Sequence, residues 1–283
     1  MADAADGHVA VTRRAWDEHM SAWFERYAHS RWAAAEPYWG MWCIPQAQLP
    51  VLPDGVAEVT AVELGCGSGY VSAWLARRGA HPVGVDVSAR QLAVAHRLQG
   101  EFGLRFPLVQ ADAERVPLAD GCAGLVISEY GASVWCDPCR WIPEAARLLR
   151  PGGQLVFLAQ STLARMCLPE QGPATDRLVR DLFGLHRVLR RGTSGREYHL
   201  FTLPHGEWIR LLGRCGLVVE DLIEVQVPPG ASNSDFPELP DEWARRWPAE
   251  EVWFARRPAD GPSPGRPHPL GHLPPLRAVQ AHP

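Results

Sequence analysis

The chain has 283 residues, 46% of them hydrophobic and 21% charged, with a net charge of −4. That length fits one large domain with a cap and a tail, and the apolar share suits a globular core. The slightly acidic balance gives no overall field for nucleic acid or anionic lipid, and the absence of any Lys among the 28 basic residues excludes lysine Schiff-base chemistry.

Residues 12–36 carry Trp16, Met20, Trp23 and Tyr27 at helical spacing, and Trp32, Tyr38, Trp39 and Trp42 follow. The stripe fits a helix packed on the core, or a helical cap whose aromatics close over a ligand; residues 1–50 are taken as that cap. From residue 59 the pattern alternates strand and helix, which implies a mostly parallel sheet covered on both faces. Strands are expected at 59–65, 81–87, 105–111, 123–130 and 154–160, with helices at 69–79, 88–99 and 138–149. Pro151 and the following glycines predict a turn between the last of these helices and its strand. Thr162 to Leu203 is long for a connection; it is read as an insertion covering the acceptor, with a helix at 173–186. Its basic run, His186 to Arg191, fits a solvated surface or an anionic-acceptor site. A helix at 205–215 and strands at 216–227 and 250–257 complete a domain spanning 51–257. Residues 258–283 hold eight prolines and no periodicity, and are expected to be disordered.

No apolar run reaches the roughly 18 residues of a membrane span, and the N-terminus lacks the features of a signal peptide. The expectation is a cytoplasmic protein with no membrane partner. Seven cysteines make an odd set for a disulfide framework. Cys136-Asp-Pro-Cys139 is one C-x-x-C with no second pair, so no metal site is expected.

The densest chemistry lies in Glu63-Leu-Gly-Cys-Gly-Ser-Gly69, a strand running into a glycine turn, and in the second strand ending at Asp86. Such a layout suits a nucleoside-bearing ligand, with the acid on the ribose hydroxyls. A dinucleotide fingerprint needs a third glycine where Tyr70 stands, which weighs against a nicotinamide oxidoreductase.

Glu63 to Gly69 resembles motif I of the class I S-adenosylmethionine-dependent methyltransferases. Gly84-Val-Asp-Val-Ser88 with Gln91 resembles the second motif, and Val109-Gln-Ala-Asp-Ala-Glu114 the third. Leu148-Leu-Arg-Pro-Gly-Gly153 resembles the turn of the family's type 11 branch. These motifs cover about a third of the chain, in order. One departure is Ala123-Gly124, where the family shows Phe-Asp. The resemblance implies a Rossmann-like α/β fold: seven mostly parallel strands, the last antiparallel between the fifth and sixth, with helices on both faces and an N-terminal helical cap.

It also implies S-adenosyl-L-methionine as cofactor. Gly65, Cys66 and Gly67 would line its methionine tail, with Glu63 near the ammonium and Asp86 on the ribose. Val87 would pack on adenine, Asp112 and Ala113 would meet its polar edge, and Gln91 and Ser128 would complete the contacts. For a general base the candidates are His199, His205, Glu129 and Tyr130. His199 matches a His common in the branch, although Leu200 stands where Arg usually follows. The expected activity is methyl transfer to a small molecule, a secondary metabolite of aromatic or apolar character, with a homodimer left open. The alternatives are an RNA or protein methyltransferase, or a non-catalytic S-adenosylmethionine-binding subunit.

Overall fold

The structure is a computed structural model and describes residues 7–191, 197–233 and 235–259. The described residues open on helix, with α1 (Gly7–Ala15), a π-type turn over Trp16–Met20 and α2 (Ser21–Ala33). The helix thus begins five residues before the expected start and stops before 36. Ser21 Oγ donates to Trp16 O at 2.6 Å, holding a carbonyl that the wide turn displaces. A short ribbon, β1 (Tyr38–Trp39) with β2 (Ile44–Pro45), leads into β3 (Thr60–Leu64), α3 (Tyr70–Arg77), β4 (His81–Asp86) and α4 (Ala89–Phe102). Ser88 caps α4, its Oγ accepting from Gln91 N at 3.2 Å.

There follow β5 (Leu108–Gln110), β6 (Ala123–Glu129), α5 (Ala132–Trp135), α6 (Pro138–Leu148), β7 (Leu149–Gln160) and α7 (Thr162–Cys167). The remainder is a hairpin of β8 (Arg187–Arg191) and β9 (Glu197–Phe201), then α8 (His205–Arg214), β10 (Val218–Val225), α9 (Asp241–Ala244) and β11 (Glu250–Arg256). The sheet order is β10-β11-β7-β6-β3-β4-β5. β11 runs antiparallel between β10 and β7, and the other pairs are parallel. This is the expected Rossmann-like topology.

Strand alternation divides the core into two layers. Leu125 and Ile127 of β6, Val156 and Leu158 of β7 and Val252 of β11 pack on one face with Val71, Trp74 and Leu75 of α3. Val126, Leu155, Phe157 and Trp253 pack on the other with Trp141 and Ile142 of α6 and Trp208 and Leu212 of α8. Phe157 and Trp253 stack there at 6.0 Å.

Four local expectations are corrected. Pro151-Gly-Gly153 is a bulge inside β7 rather than a turn before it: Ala123 pairs with Leu149, and Leu125 then pairs with Gln154. The strand expected from 105 begins at Leu108, because Pro107 has no N–H for the ladder. No helix forms over 173–186. Only its ends are buried, at Ala174 and Leu185, while Leu178, Val179, Leu182 and Phe183 between them are exposed, Phe183 at 92%; tertiary bonds hold the segment instead, such as Val179 N to Met166 O at 2.8 Å. The basic run is a strand with alternate residues turned inward, Val188 and Arg190 both being buried. The Pro-rich tail from residue 260 lies outside the described residues.

Candidate active site

The ends of β3, β4 and β6 meet at a cavity of about 330 Å³, a size typical of small-ligand sites. Backbone sterics shape its floor. Gly65 (φ +74°) and Gly131 press backbone on backbone: a Cβ on Gly131 would lie 2.5 Å from the carbonyls of Leu64 and Gly65. The first motif glycine is therefore required by the neighbouring strand tip as well as by any ligand. Gly67 (φ +52°) faces open space apart from Gln91.

The turn is tied down from the adjacent strand. Gly65 N and Cys66 N both donate to Val85 O, at 2.8 and 2.9 Å. Asp86 accepts Gly67 N and Ser88 N through its two oxygens, each at 2.8 Å. Burial pushes the Asp86 carboxyl up to about 6. Glu63 is buried, its Oε2 accepting Ser72 N at 2.8 Å and Ser72 Oγ at 2.5 Å. Burial, reinforced by Glu129 and Asp86, pushes Glu63 up to about 8. Asp112 accepts Glu114 N at 2.9 Å, and burial raises it too.

Glu63, Gly65, Cys66, Gly67, Asp86, Val87, Gln91, Asp112 and Ala113 all line this one cavity. Ser128 does not: it is fully buried, its Oγ donating to Leu64 O at 2.8 Å and accepting Ser133 N. Glu129 and Tyr130 line the cavity at the end of β6. Glu129 accepts Gly40 N at 3.2 Å, lies 3.9 Å from Arg31 and receives the Tyr70 hydroxyl; burial raises its pKa. Tyr130 has φ +52°, an uncommon conformation for a non-glycine residue and a frequent mark of functional positions. Its hydroxyl donates to Glu250 Oε1 at 2.6 Å, and burial pushes Glu250 up to about 7.

The two histidines are placed elsewhere. Tyr198 and Leu200 of β9 face the cavity, so His199 between them points to the other side of the strand. His205 opens α8, pairs with Glu251 at 2.8 Å and rests on Trp253, away from the cavity lining. Of the two tryptophans beside the C-x-x-C, Trp135 lines the cavity, whereas Trp141 is core. The C-x-x-C itself is a helix start, with Asp137 capping Cys139 N at 2.9 Å and Pro138 in the first turn.

The N-terminal helices form the outer wall through Trp16, Met20, Trp23, Phe24 and Tyr27. They grip the motif residues directly. Asp17 accepts Ser88 Oγ at 2.6 Å, Ser21 Oγ accepts Gln91 Nε2 at 2.9 Å and Trp32 Nε1 donates to Ser68 O at 2.9 Å. His8 meets buried Glu114 at 2.7 Å. Sequence reasoning missed Tyr70, Arg31, Arg165 and Tyr198 as cavity residues. Only Tyr70 carried a local signal, since it fills the third-glycine position and bridges to Glu129.

A Rossmann-like sheet with this strand order, this glycine turn and these acids defines a class I S-adenosylmethionine-dependent methyltransferase, and the chain belongs to that family. Residues 62–157 match the family model described as "Methyltransferase domain". The chain is 30% identical over 222 residues to a ubiquinone biosynthesis O-methyltransferase of Pseudomonas paraeruginosa, covering 75% of this chain and 88% of that one. A malonyl-[acyl-carrier protein] O-methyltransferase of Pectobacterium atrosepticum is 34% identical over 158 residues. That match spans 54% of this chain but only 59% of the relative's length. A solved S-adenosylmethionine-dependent methyltransferase of Mesorhizobium loti superposes with a TM-score of 0.57 at 25% identity, covering 75% of this chain and 96% of that one. S-adenosylmethionine is the cosubstrate of this family. The cavity fits it, offering buried carboxyls for hydroxyl and ammonium donors, with Tyr70 where a dinucleotide turn needs its third glycine. Among the described residues no helix is long and apolar enough to cross a membrane.

Proposed function

We propose that the chain transfers the methyl group of S-adenosylmethionine to a small, flat acceptor with an aromatic body, of the kind secondary metabolism supplies. One observation carries this reading: the glycine turn and its carboxyls open into the same cavity as a wall of aromatic side chains. Trp16 meets Trp135 edge to face at 5.4 Å, and Trp135 meets Tyr198 at 5.6 Å. Trp23 meets Phe236 at 5.3 Å. Rings arranged this way bury a flat molecule and exclude water.

In this reading Glu63 holds the ammonium and Asp86 the ribose hydroxyls, while Val87, Asp112 and Ala113 border the adenine. When bound, the sulfonium supplies an electrophilic methyl group. The protein then contributes alignment, which provides several kcal/mol of barrier reduction. Glu129 takes the proton of an acceptor hydroxyl, since it lines the cavity and burial raises its basicity. Tyr130, fixed by Glu250, orients the acceptor. His199 and His205 lie off the cavity and serve no such role here.

The RNA reading loses support because the basic run turns Arg190 inward, onto Pro169 O. The decisive experiment incubates the protein with methyl-labelled S-adenosylmethionine and, separately, phenols, quinols, total tRNA and a protein extract. Label in the phenol or quinol fraction supports the reading, and label only in tRNA or protein refutes it.

A further inference from the structure

Resting on the small-molecule reading above, we propose that Arg165 and Gln160 recognise a carboxylate on the acceptor, with an O–H or N–H donor beside it. Arg165 lies on α7, just past the end of β7, and lines the cavity although its residue is only 2% exposed. Its Nε and Nη1 are buried and meet no hydrogen-bond partner among the described residues. A buried, unpaired guanidinium is costly, by several kcal/mol in general. Gln160, the last residue of β7, presents a buried Oε1 that also lacks a partner, and it lines the same cavity.

The surroundings sharpen the assignment. The other guanidinium lining the cavity, Arg31, is matched: it sits 3.9 Å from Glu129 and over the Tyr70 ring at 4.5 Å. Behind Arg165, Arg180 donates to the carbonyls of Arg165 and Leu168, and Arg190 to that of Pro169. Those two cations raise the local potential while their Nη1 donors are already used. Burial and these neighbours lower the Arg165 pKa only to about 10, so the group stays charged at neutral pH.

A planar fork with free N–H groups matches a carboxylate, and bidentate pairing of this kind is strong and directional. A phosphate dianion would call for further free cationic donors. The unpaired Gln160 oxygen needs a donor, which a hydroxyl or amine near the carboxylate provides. With aromatic walls on the same cavity, the acceptor class is a flat hydroxy- or amino-carboxylic acid.

The test uses the protein with S-adenosylhomocysteine for binding and with S-adenosylmethionine for turnover. The probes are hydroxybenzoic, hydroxycinnamic, hydroxynaphthoic and aminobenzoic acids, each paired with its carboxamide. The expected result is an acid preferred at least 30-fold over its amide. Arg165→Met should raise KM for that acid at least 30-fold with kcat within about threefold, leave the amide unchanged, and keep S-adenosylhomocysteine affinity. Arg165→Lys should recover part of the loss, and Arg165→Gln serves if the Met variant fails to fold. Amides handled as well as acids by the native protein, or an Arg165→Met variant with the native acid preference, would overturn the carboxylate assignment and leave the small-molecule reading intact. Binding of S-adenosylhomocysteine with no acid or amide accepted would overturn the carboxylate assignment, and methyl label found only in tRNA or protein would overturn the small-molecule reading as well.

Discussion

Glu63→Gln isolates the electrostatics of the cofactor end of the cavity. The substitution keeps the shape, and a Gln carbonyl can still accept Ser72 N–H and O–H, which now meet Glu63 Oε2 at 2.8 and 2.5 Å. Burial raises Glu63 from 4.5 to about 8. At pH 7 the free protein therefore carries this group ionised about one time in ten, and at pH 6 about one time in a hundred. A ligand ammonium needs the carboxylate, so binding must release a proton, and native affinity should fall about tenfold per pH unit below 8. A charge-assisted hydrogen bond contributes about 1.5–3 kcal/mol, or roughly 10- to 150-fold. The variant should thus bind S-adenosylhomocysteine about 10- to 150-fold more weakly at pH 9, with the two curves converging between about pH 7 and pH 6. Calorimetry in buffers of different ionisation enthalpy reads both the affinity and the released proton. The sign for stability is opposite. Because the folded pKa lies above the unfolded value, the contribution of Glu63 is complete below pH 4.5 and is lost as pH rises toward 8. The ligand-free variant should match the native protein at low pH and melt higher at pH 8. Native affinity that stays flat from pH 6 to 9, or a variant that tracks the native protein throughout, would refute the argument.

Asp86→Ala should abolish measurable S-adenosylhomocysteine binding, since it removes the ribose acceptor and also frees Gly67 N and Ser88 N; retained micromolar affinity in calorimetry would sink the assignment. Glu129→Gln should lower kcat on a hydroxyl acceptor by about 10²- to 10⁴-fold with cofactor affinity unchanged. The pH–rate profile should lose its acidic limb, which lies above the ordinary Glu range because burial raises that group; an unaltered profile would place the base elsewhere. Phe157→Ala should destabilise the fold by about 3–5 kcal/mol, read from urea midpoints, because its ring packs between Trp141, Trp208 and Trp253. A change below 1 kcal/mol would mean that this face of the sheet is less tightly packed than it looks.

What was legible in the sequence is what the backbone imposes locally. The glycine turn, the acid at the end of β4 and the alternation of apolar runs with helices each encode their geometry within about ten residues. The sheet order and the roles of the cofactor residues came with the family resemblance these local motifs carry, and nine of the ten residues so assigned line one cavity. Ser128 is the instructive exception: its position on β6 was right, but strand alternation turns its hydroxyl onto Leu64 O. The errors share a cause. The stretch 173–186 has helical spacing, yet a helix needs something to bury its face against, and Phe183 finds nothing. The basic run has the composition of a solvated surface, yet pairing with β9 turns Arg190 inward. His199 was proposed because it matches a His common in the resembling branch, whereas its neighbours Tyr198 and Leu200 line the cavity because a strand shows alternate residues to each side.

The acceptor end of the cavity was least legible, for a physical reason. The cofactor end is built from consecutive residues on β3, β4 and the turns that follow, so sequence spacing reports spatial spacing. The acceptor end is assembled from Trp16, Tyr70, Trp135, Arg165, Tyr198 and Phe236, which lie far apart in the chain and meet only once the sheet has formed. No local pattern distinguishes Arg165 from the other arginines; what singles it out is burial without a partner. An uncompensated buried charge costs several kcal/mol, and an apolar side chain of similar volume removes that cost. Arg165→Met should therefore fold at least as well as the native protein while losing acid recognition. A thermal melt run beside the acid–amide comparison separates the two effects: a large loss of stability would make Arg165 a structural residue, and an unchanged or higher melting temperature with lost acid preference would make it a recognition residue.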